Sequence, residues 1–179
     1  MLTILHTADL HLGYISRQLD AETARRLARA RLGAVDTILG LAQQYDVRAV
    51  VCAGDIFDTD QPEQDWWHGL AVAFTRNPGW HCPVILLPGN HDPLTRESVY
   101  ERGHAFRCAL PPWVHVVDRD DFELALGPDA VLYAKPCRSR AGADDPTLGL
   151  PDRIAGDERI RIGVVHGSVF DLPDSQTHF

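Results

Sequence analysis

The sequence has 179 residues, which is long enough for one domain with a buried core. Hydrophobic residues make up 45% and charged residues 23%, as is typical of a globular protein. No apolar run approaches the roughly 18 residues of a membrane-spanning helix, and the N-terminus lacks a secretion signal. The four cysteines are far apart in the sequence and predict reduced, buried thiols in a cytoplasmic protein.

The formal net charge of −8 argues mildly against a protein that binds nucleic acid unaided, because phosphate backbones attract basic surfaces. Carboxylates that hold divalent cations would nevertheless count as negative in this sum. Basic charge is uneven along the chain, and five arginines lie within fifteen residues: Arg17, Arg25, Arg26, Arg29 and Arg31. This cluster is more typical of a solvated helix face than of a DNA-contact stripe.

The first half of the chain predicts an alternation of strands and helices. Short apolar runs indicate strands at residues 2–6, 48–53 and 83–87. A helix is predicted over Ala21–Gln44, and a second over residues 62–76 with Asp60 as its cap. The core-facing side of the first helix is predicted to contain Leu27, Val35, Ile38, Leu39 and Ala42.

The second half predicts further strands at residues 114–118, 131–134 and 161–165, with a long polar loop at 137–157. The order of elements predicts an α/β protein with at least one largely buried sheet. Four polar clusters follow apolar strands, at residues 9–11 (DLH), 54–58 (GDIFD), 89–92 (GNHD) and 166–167 (HG). Ligands of α/β sheets bind at the carboxyl ends of strands, so these clusters are expected to meet.

The residue types in these clusters are those of a metal site. Carboxylate, imidazole and carboxamide groups suit Mn²⁺, Fe²⁺ or Mg²⁺, and no cysteine is among them. Asp55 could bridge two cations roughly 3.5–4 Å apart, which lowers the pKa of a bridging water and neutralises phosphate oxygens. The resulting hydroxide attacks phosphorus in line with the leaving oxygen.

Each cluster taken alone has an ordinary explanation. A single Asp-x-His or a lone His166 is more often structural, and GDIFD could be a capped loop. GNHD is more specific, since a turn explains Gly89 and Asn90 but not His91 and Asp92. Asp92 is expected to hold one ring nitrogen of His91. All four clusters together, each at a strand end, favour metal binding.

These motifs resemble those of the calcineurin-type metallophosphoesterases, whose order is D-x-H, GD-x-x-D, GNH[DE], H and GHxH. The runs ILHTADLHLG and GDIFDTDQP are most similar to the nuclease subunits of the SbcD type. The resemblance implies a four-layer sandwich of two β-sheets flanked by helices. It also implies that the relatives use Mn²⁺, act on double-stranded DNA ends and hairpins, and work as dimers with an SMC-like SbcC-type ATPase.

The resemblance also implies roles for individual residues. Asp9 and His11 would bind one metal, Asn90 and His166 the second, and Asp55 would bridge them. His91 would contact the scissile phosphate or protonate the leaving group, with Asp92 orienting it. The position of Arg17, shortly after the first motif, suggests a contact with substrate.

Two departures from the family pattern bear on these roles. Asp58 stands where archaeal and eukaryotic relatives carry a histidine, which indicates the bacterial branch and leaves its role open. The final GHxH motif does not occur in the sequence, so each metal would lack one histidine. The expectation is therefore one phosphoesterase domain over residues 1–179, truncated before its last metal-binding motif and poorly active.

Three functions stay open at this point. The first is a manganese-dependent DNA exo- or endonuclease. The second is a phosphoesterase that acts on a nucleotide or a nucleotide-linked lipid, and the third is a non-catalytic scaffold of the same fold. Protein phosphatases are disfavoured because they typically carry GD-x-V-D-R-G where this chain has GDIFDTD.

Overall fold

The computed structural model of the chain describes residues 1–76, 80, 82–141 and 145–167. These residues contain seven strands and three helices. In chain order they are β1 (Ile4–Thr7), α1 (Ala21–Gln44), β2 (Ala49–Ala53), α2 (Gln64–Thr75), β3 (Val84–Leu87), α3 (Ala105–Ala109), β4 (Val114–Val116), β5 (Phe122–Ala125), β6 (Ala130–Ala134) and β7 (Ile160–Val164).

Two sheets form the centre of the molecule. The first has four parallel strands in the order β1-β2-β3-β4, and Val51 of β2 pairs with His6 and Ile85. The second has the order β5-β6-β7, with β5 antiparallel and β7 parallel to β6. Parallel strands joined by helices require cover on both faces, which explains why every residue of β2 is buried and apolar.

The side chains of β2 alternate between two hydrophobic cores. Val50 and Cys52 pack in one core with residues of α1 and α2 such as Leu39 and Phe74. Ala49, Val51 and Ala53 face a second core, which lies between the sheets and includes Leu132 and Val164. The predicted α/β class with two packed sheets and flanking helices is confirmed, and the helices α1 and α2 cover the first sheet.

Helix α1 begins and ends at the predicted residues, Ala21 and Gln44. Its N-terminus is capped by Asp20, whose Oδ1 accepts hydrogen bonds from the backbone of Glu22 and Thr23 at 3.1 and 3.0 Å. These bonds lower the pKa of Asp20. Leu27 was wrongly predicted to face the core, because it is 41% exposed while Ala28 is fully buried. One residue along a helix turns about 100°, which carries Leu27 out of the buried stripe.

Helix α2 is two residues shorter at its start than predicted, and Asp60 does not cap it. The residue before the helix is Glu63, which makes no side-chain capping bond. The carboxylate of Asp60 instead accepts hydrogen bonds from Thr95 and Arg140, both at 3.3 Å, and its carbonyl accepts one from the Val99 backbone at 2.8 Å. Asp60 therefore ties the loop after β2 to the loop after β3.

The structure contains two elements that were not predicted, α3 and β5. Each is short, and β5 lies in a polar stretch where only Phe122 is buried. Residues 137–141 and 145–157 contain turns but no helix or strand, as the predicted loop requires. Within the described ranges no helix is long and apolar enough to cross a membrane.

The cysteines are free, but they are not uniformly buried as predicted. Cys52 is buried in the helix-side core, Cys82 and Cys137 are half-buried, and Cys108 is exposed. Burial raises the pKa of the Cys52 thiol to about 12. A thiol with such a pKa is protonated at neutral pH and packs as a small apolar group.

The packing of the two sheets predicts a large effect of truncating Leu132. This residue is fully buried in the inter-sheet core, so Leu132→Ala should lower the free energy of unfolding by roughly 2–5 kcal/mol. Leu148→Ala, at a residue 61% exposed, should change it by less than about 0.5 kcal/mol. Urea denaturation of both variants provides the measurement. Equal, small effects would contradict the inter-sheet core.

Candidate metal centre

The motifs that follow β1 and β2 are held side by side by backbone hydrogen bonds. Asp9 donates to the Gly54 carbonyl at 3.1 Å, and His11 donates to the Asp55 carbonyl at 2.9 Å. The parallel pairing of the two strands is thereby prolonged, as far as a bridge between Leu12 and Phe57. The two motifs therefore lie in register at the same sheet edge.

Three ligand-type residues in these loops have left-handed backbone conformations. The φ angles are 56° at Asp9, 44° at His11 and 51° at Asp55. Residues other than glycine seldom adopt this region, and it is concentrated at functional sites where the surrounding structure enforces it. The conformation turns consecutive side chains of each loop in different directions.

Five of the predicted metal ligands meet at this edge. His166 Nε2 lies 2.9 Å from Asn90 Oδ1 and 3.3 Å from Asp55 Oδ2. His11 Nε2 lies 3.9 Å from the same oxygen of Asp55 and 4.0 Å from Asp9 Oδ1. The donor atoms of Asp9, Asp55 and His166 form a compact group within 4.8 Å of one another. The expected convergence of the four strand-end clusters is thus present in the structure.

Asp55 is the buried centre of this group. It is 3% exposed, and its Oδ1 accepts a hydrogen bond from the His91 backbone at 2.8 Å. Burial acts to raise the pKa of Asp55, but the hydrogen bonds from His166 and the His91 backbone outweigh burial and lower it. The carboxyl group of Asp55 is therefore held in its ionised form.

His166 presents one ring nitrogen to the cluster and the other to the backbone. Its Nδ1 lies 2.8 Å from the Ala53 carbonyl, to which it can only donate, so Nε2 faces Asp55 and Asn90. Metal-binding histidines are commonly oriented in this way by a backbone carbonyl. The hydrogen bond to Asp55 raises the pKa of His166 to about 9, although burial of the ring acts to lower it.

Two glycines make room for the cluster. Gly54 has a φ of 94°, and a Cβ there would overlap the ring of His166. A Cβ at Gly89 would overlap both the side chain and the backbone nitrogen of Asp55. Only glycine permits these close approaches, which explains why a glycine is the first residue of both the GDIFD and the GNHD motif.

A second group of donors adjoins the first and contains Asp58, whose role the sequence left open. Asp58 Oδ1 lies 3.4 Å from His11 Nδ1 and 3.9 Å from His91 Nδ1. The rings of His11 and His91 are perpendicular, with centroids 4.8 Å apart. His11 Nδ1 is buried, yet it makes no well-aligned hydrogen bond within the part of the chain that the structure describes.

The predicted contact between Asp92 and His91 is not present, and this expectation is corrected. Asp92 is fully buried, and its two oxygens accept hydrogen bonds from the backbones of Gly89 and Phe57, both at 2.8 Å, and from the Tyr100 hydroxyl at 2.6 Å. Burial raises the pKa of Asp92 to about 7 despite these donors. Tyr100 was not predicted, because nothing in the surrounding sequence indicates that it reaches the motif.

Arg17 lies outside the cluster. It is exposed, six residues after His11, and forms no ion pair with the residues that the structure describes. Arg25, Arg26 and Arg29 are also exposed on α1, whereas Arg31 lies over the ring of Tyr14 at 4.9 Å. The predicted contact of Arg17 with substrate therefore stays a prediction.

The fold and this donor set define a metallophosphoesterase. The chain belongs to the calcineurin-like phosphoesterase family, whose sequence profile matches residues 2–175. Divalent metal ions are implied by this family, and this part of the sheet edge contains oxygen and imidazole donors that could hold them.

The chain is also similar to several proteins named as the SbcD subunit of the nuclease SbcCD. It is 35% identical to that of Rhodobacter capsulatus over 176 residues, which cover 93% of this chain and 39% of the relative. It is 36% identical to that of Escherichia coli K12 over 94 residues, which cover 51% of this chain and 21% of the relative. It is 32% identical to that of Bacillus subtilis over 110 residues, which cover 54% of this chain and 26% of the relative. The chain thus spans less than half the length of these relatives.

The steric role of Gly89 gives a direct test of the site. Gly89→Ala should displace Asp55 and weaken Mn²⁺ binding by about 10-fold or more, as changes beside a metal ligand commonly do. Calorimetric titration with Mn²⁺ measures this. Gly103→Ala is the matched control, because a Cβ there meets nothing within 4 Å. Unchanged Mn²⁺ affinity in a folded Gly89→Ala protein would show that Asp55 is not a ligand.

Proposed function

We propose that residues 1–179 form one phosphoesterase domain that binds two divalent cations and hydrolyses phosphodiester bonds in DNA. The observation that carries this proposal is the buried Asp55 carboxylate, one oxygen of which lies 3.9 Å from His11 and 3.3 Å from His166. These groups come from three different strand ends. Membership of the calcineurin-like phosphoesterase family and similarity to nuclease subunits support the same reaction class.

In this proposal Asp9 and His11 would hold one cation, Asn90 and His166 would hold the other, and Asp55 would be a ligand of both. The donors are oxygens and imidazole nitrogens, which suit Mn²⁺ best, with Mg²⁺ or Fe²⁺ as substitutes. When bound, such a pair of cations neutralises phosphate oxygens and lowers the pKa of an attacking water. The overlap that any Cβ at Gly54 or Gly89 would create shows how closely the backbone fits this donor set.

His91 is proposed to protonate the leaving oxygen as the phosphorus–oxygen bond breaks. Its side chain is 49% exposed at the open side of the cluster, where a substrate can reach it. Asp58, whose Oδ1 lies 3.9 Å from His91 Nδ1, is proposed to orient His91 in place of Asp92, and it also lies 3.4 Å from His11 Nδ1. A carboxylate at that nitrogen turns the other nitrogen toward a cation.

The substrate and partners are inferred from the relatives. The names of the relatives describe them as one subunit of a nuclease called SbcCD. By extension, we propose that this chain acts on DNA in the cytoplasm, together with an SbcC-type ATPase and as a homodimer. The acidic balance of −8 fits a chain that relies on a partner for much of its DNA affinity.

Metal-dependent hydrolysis is the primary test. With Mn²⁺ the protein should cleave bis-p-nitrophenyl phosphate and linear duplex DNA, and EDTA should abolish both activities. Asp55→Asn should reduce the rate of hydrolysis by about 100-fold or more, because loss of a metal ligand should cost more than the roughly 10- to 100-fold loss that follows removal of a group that only orients a ligand. Asp46→Asn, an exposed residue just before the opposite end of β2, is the control and should leave the rate unchanged.

The pattern of substrates separates the competing functions. Cleavage of the small ester without cleavage of duplex or single-stranded DNA would favour a small-molecule phosphoesterase. A folded protein that binds no Mn²⁺ and cleaves neither substrate would contradict the proposed activity and favour a non-catalytic scaffold.

Arg17 is proposed to contact a DNA phosphate. Arg17→Ala should weaken DNA binding and reduce the slope of log affinity against log salt concentration by about one. Arg153→Ala, an exposed arginine in the loop before β7, is the matched control and should have no such effect. Fluorescence anisotropy with labelled duplex DNA, in EDTA to prevent cleavage, measures both. An unchanged salt slope for Arg17→Ala would remove this residue from the binding surface.

A further inference from the structure

The buried carboxylate of Asp92 joins the two loops that carry the central ligands. Its Oδ1 accepts from the Gly89 backbone and its Oδ2 from the Phe57 backbone, each at 2.8 Å. Phe57 lies two residues after Asp55, and Gly89 directly precedes Asn90. A single side chain therefore fixes the backbone beside both ligands.

Tyr100 completes this arrangement from outside both loops. Its hydroxyl donates to Asp92 Oδ2 at 2.6 Å, which is the third hydrogen bond that this buried side chain accepts. Its ring centroid lies 6.0 Å from that of Phe57 and 6.3 Å from that of Phe106. Tyr100 is thus connected to the loop after β2 in two ways. Its ring packs near Phe57, and its hydroxyl bonds to the same Asp92 oxygen that accepts from the Phe57 backbone.

The position of Tyr100 is itself fixed by its neighbours. Its carbonyl accepts a hydrogen bond from Arg107 at 3.2 Å, and the adjacent Val99 donates to the Asp60 carbonyl at 2.8 Å. The side chain is fully buried. Burial, followed by the nearby charge of Asp92, raises the pKa of Tyr100 well above its usual value, which keeps the hydroxyl a donor.

No arginine, lysine or histidine lies within ion-pair distance of Asp92 in the described residues. Three neutral donors alone compensate its burial, and a buried carboxylate that loses a donor is strongly disfavoured. Loss of the Tyr100 hydroxyl would leave the connection between the two loops to the two backbone hydrogen bonds of Asp92 alone, and the constraint on the spacing between Asp55 and Asn90 would weaken.

We propose that Tyr100 is a positioning residue, which through Asp92 sets the spacing between Asp55 and Asn90 and thereby the affinity of the cluster for its second cation. This inference rests on the proposed metal-binding function. It assigns to Asp92 the role of joining two ligand loops, and it adds a residue that the motifs do not contain.

Tyr100→Phe removes only the hydroxyl and tests the proposal. The dissociation constant for Mn²⁺ in calorimetric titration should rise by about 10-fold, the Mn²⁺ concentration for half-maximal hydrolysis of bis-p-nitrophenyl phosphate should rise with it, and excess Mn²⁺ should restore the rate. Tyr133→Phe is the matched control, because Tyr133 is also buried but its hydroxyl makes no hydrogen bond to the described residues. Its metal requirement should stay that of the wild type.

Phe106→Leu distinguishes positioning from a general loss of stability. Phe106 packs against Tyr100, so this variant should lower the melting temperature without removing a donor from Asp92. The proposal is overturned if Tyr100→Phe has the metal requirement of the wild type. It is also overturned if Phe106→Leu has the same melting temperature as Tyr100→Phe and raises the metal requirement by the same factor.

Asp92→Asn provides a second variant. A carboxamide nitrogen must face one of the two backbone N–H donors, so the metal requirement should rise more than in Tyr100→Phe. A smaller rise than in Tyr100→Phe would also overturn the proposal. A wild-type protein that neither binds Mn²⁺ nor hydrolyses the ester would instead contradict the proposed function, independently of these variants.

Discussion

The hydrogen bonds and close packing around the Asp55 carboxylate constrain every other part of the candidate site. This carboxylate is almost fully buried at the end of a central strand, where ionisation would ordinarily be unfavourable. Its environment compensates with the His91 backbone and the His166 ring. Because Gly54 and Gly89 lack side chains, the neighbouring loops can close around it. The cluster is therefore arranged around a charge that the protein stabilises before any cation binds.

The second sheet gives this arrangement a candidate ligand that is distant in sequence. His166 follows β7, and its ring reaches the Ala53 carbonyl across 113 residues of chain. That contact depends on the core between the sheets, where Val51 and Ala53 pack with Leu132 and Val164. Stability of the inter-sheet core and geometry of the metal centre are thus coupled, since loosening the sheets would withdraw His166 from Asp55.

Much of the fold and of the ligand set could be predicted from local patterns. Apolar runs located six of the seven strands, helical periodicity located α1, and polar clusters at strand ends located Asp9, Asn90 and the other candidate ligands. Such patterns cannot show which buried polar groups pair across loops. Asp92 is adjacent to His91 in sequence but faces away from it, toward Tyr100. Asp60 likewise resembles a helix cap, yet tertiary hydrogen bonds direct it elsewhere.

The proposed activity depends on whether two cations bind around Asp55. A crystal grown with Mn²⁺ and measured at the manganese absorption edge would locate them by anomalous scattering. A two-metal centre predicts two peaks roughly 3.5–4 Å apart, one beside Asp9 and His11 and the other beside Asn90 and His166. Absence of peaks at Asp55, or manganese bound only at other surface carboxylates, would contradict it.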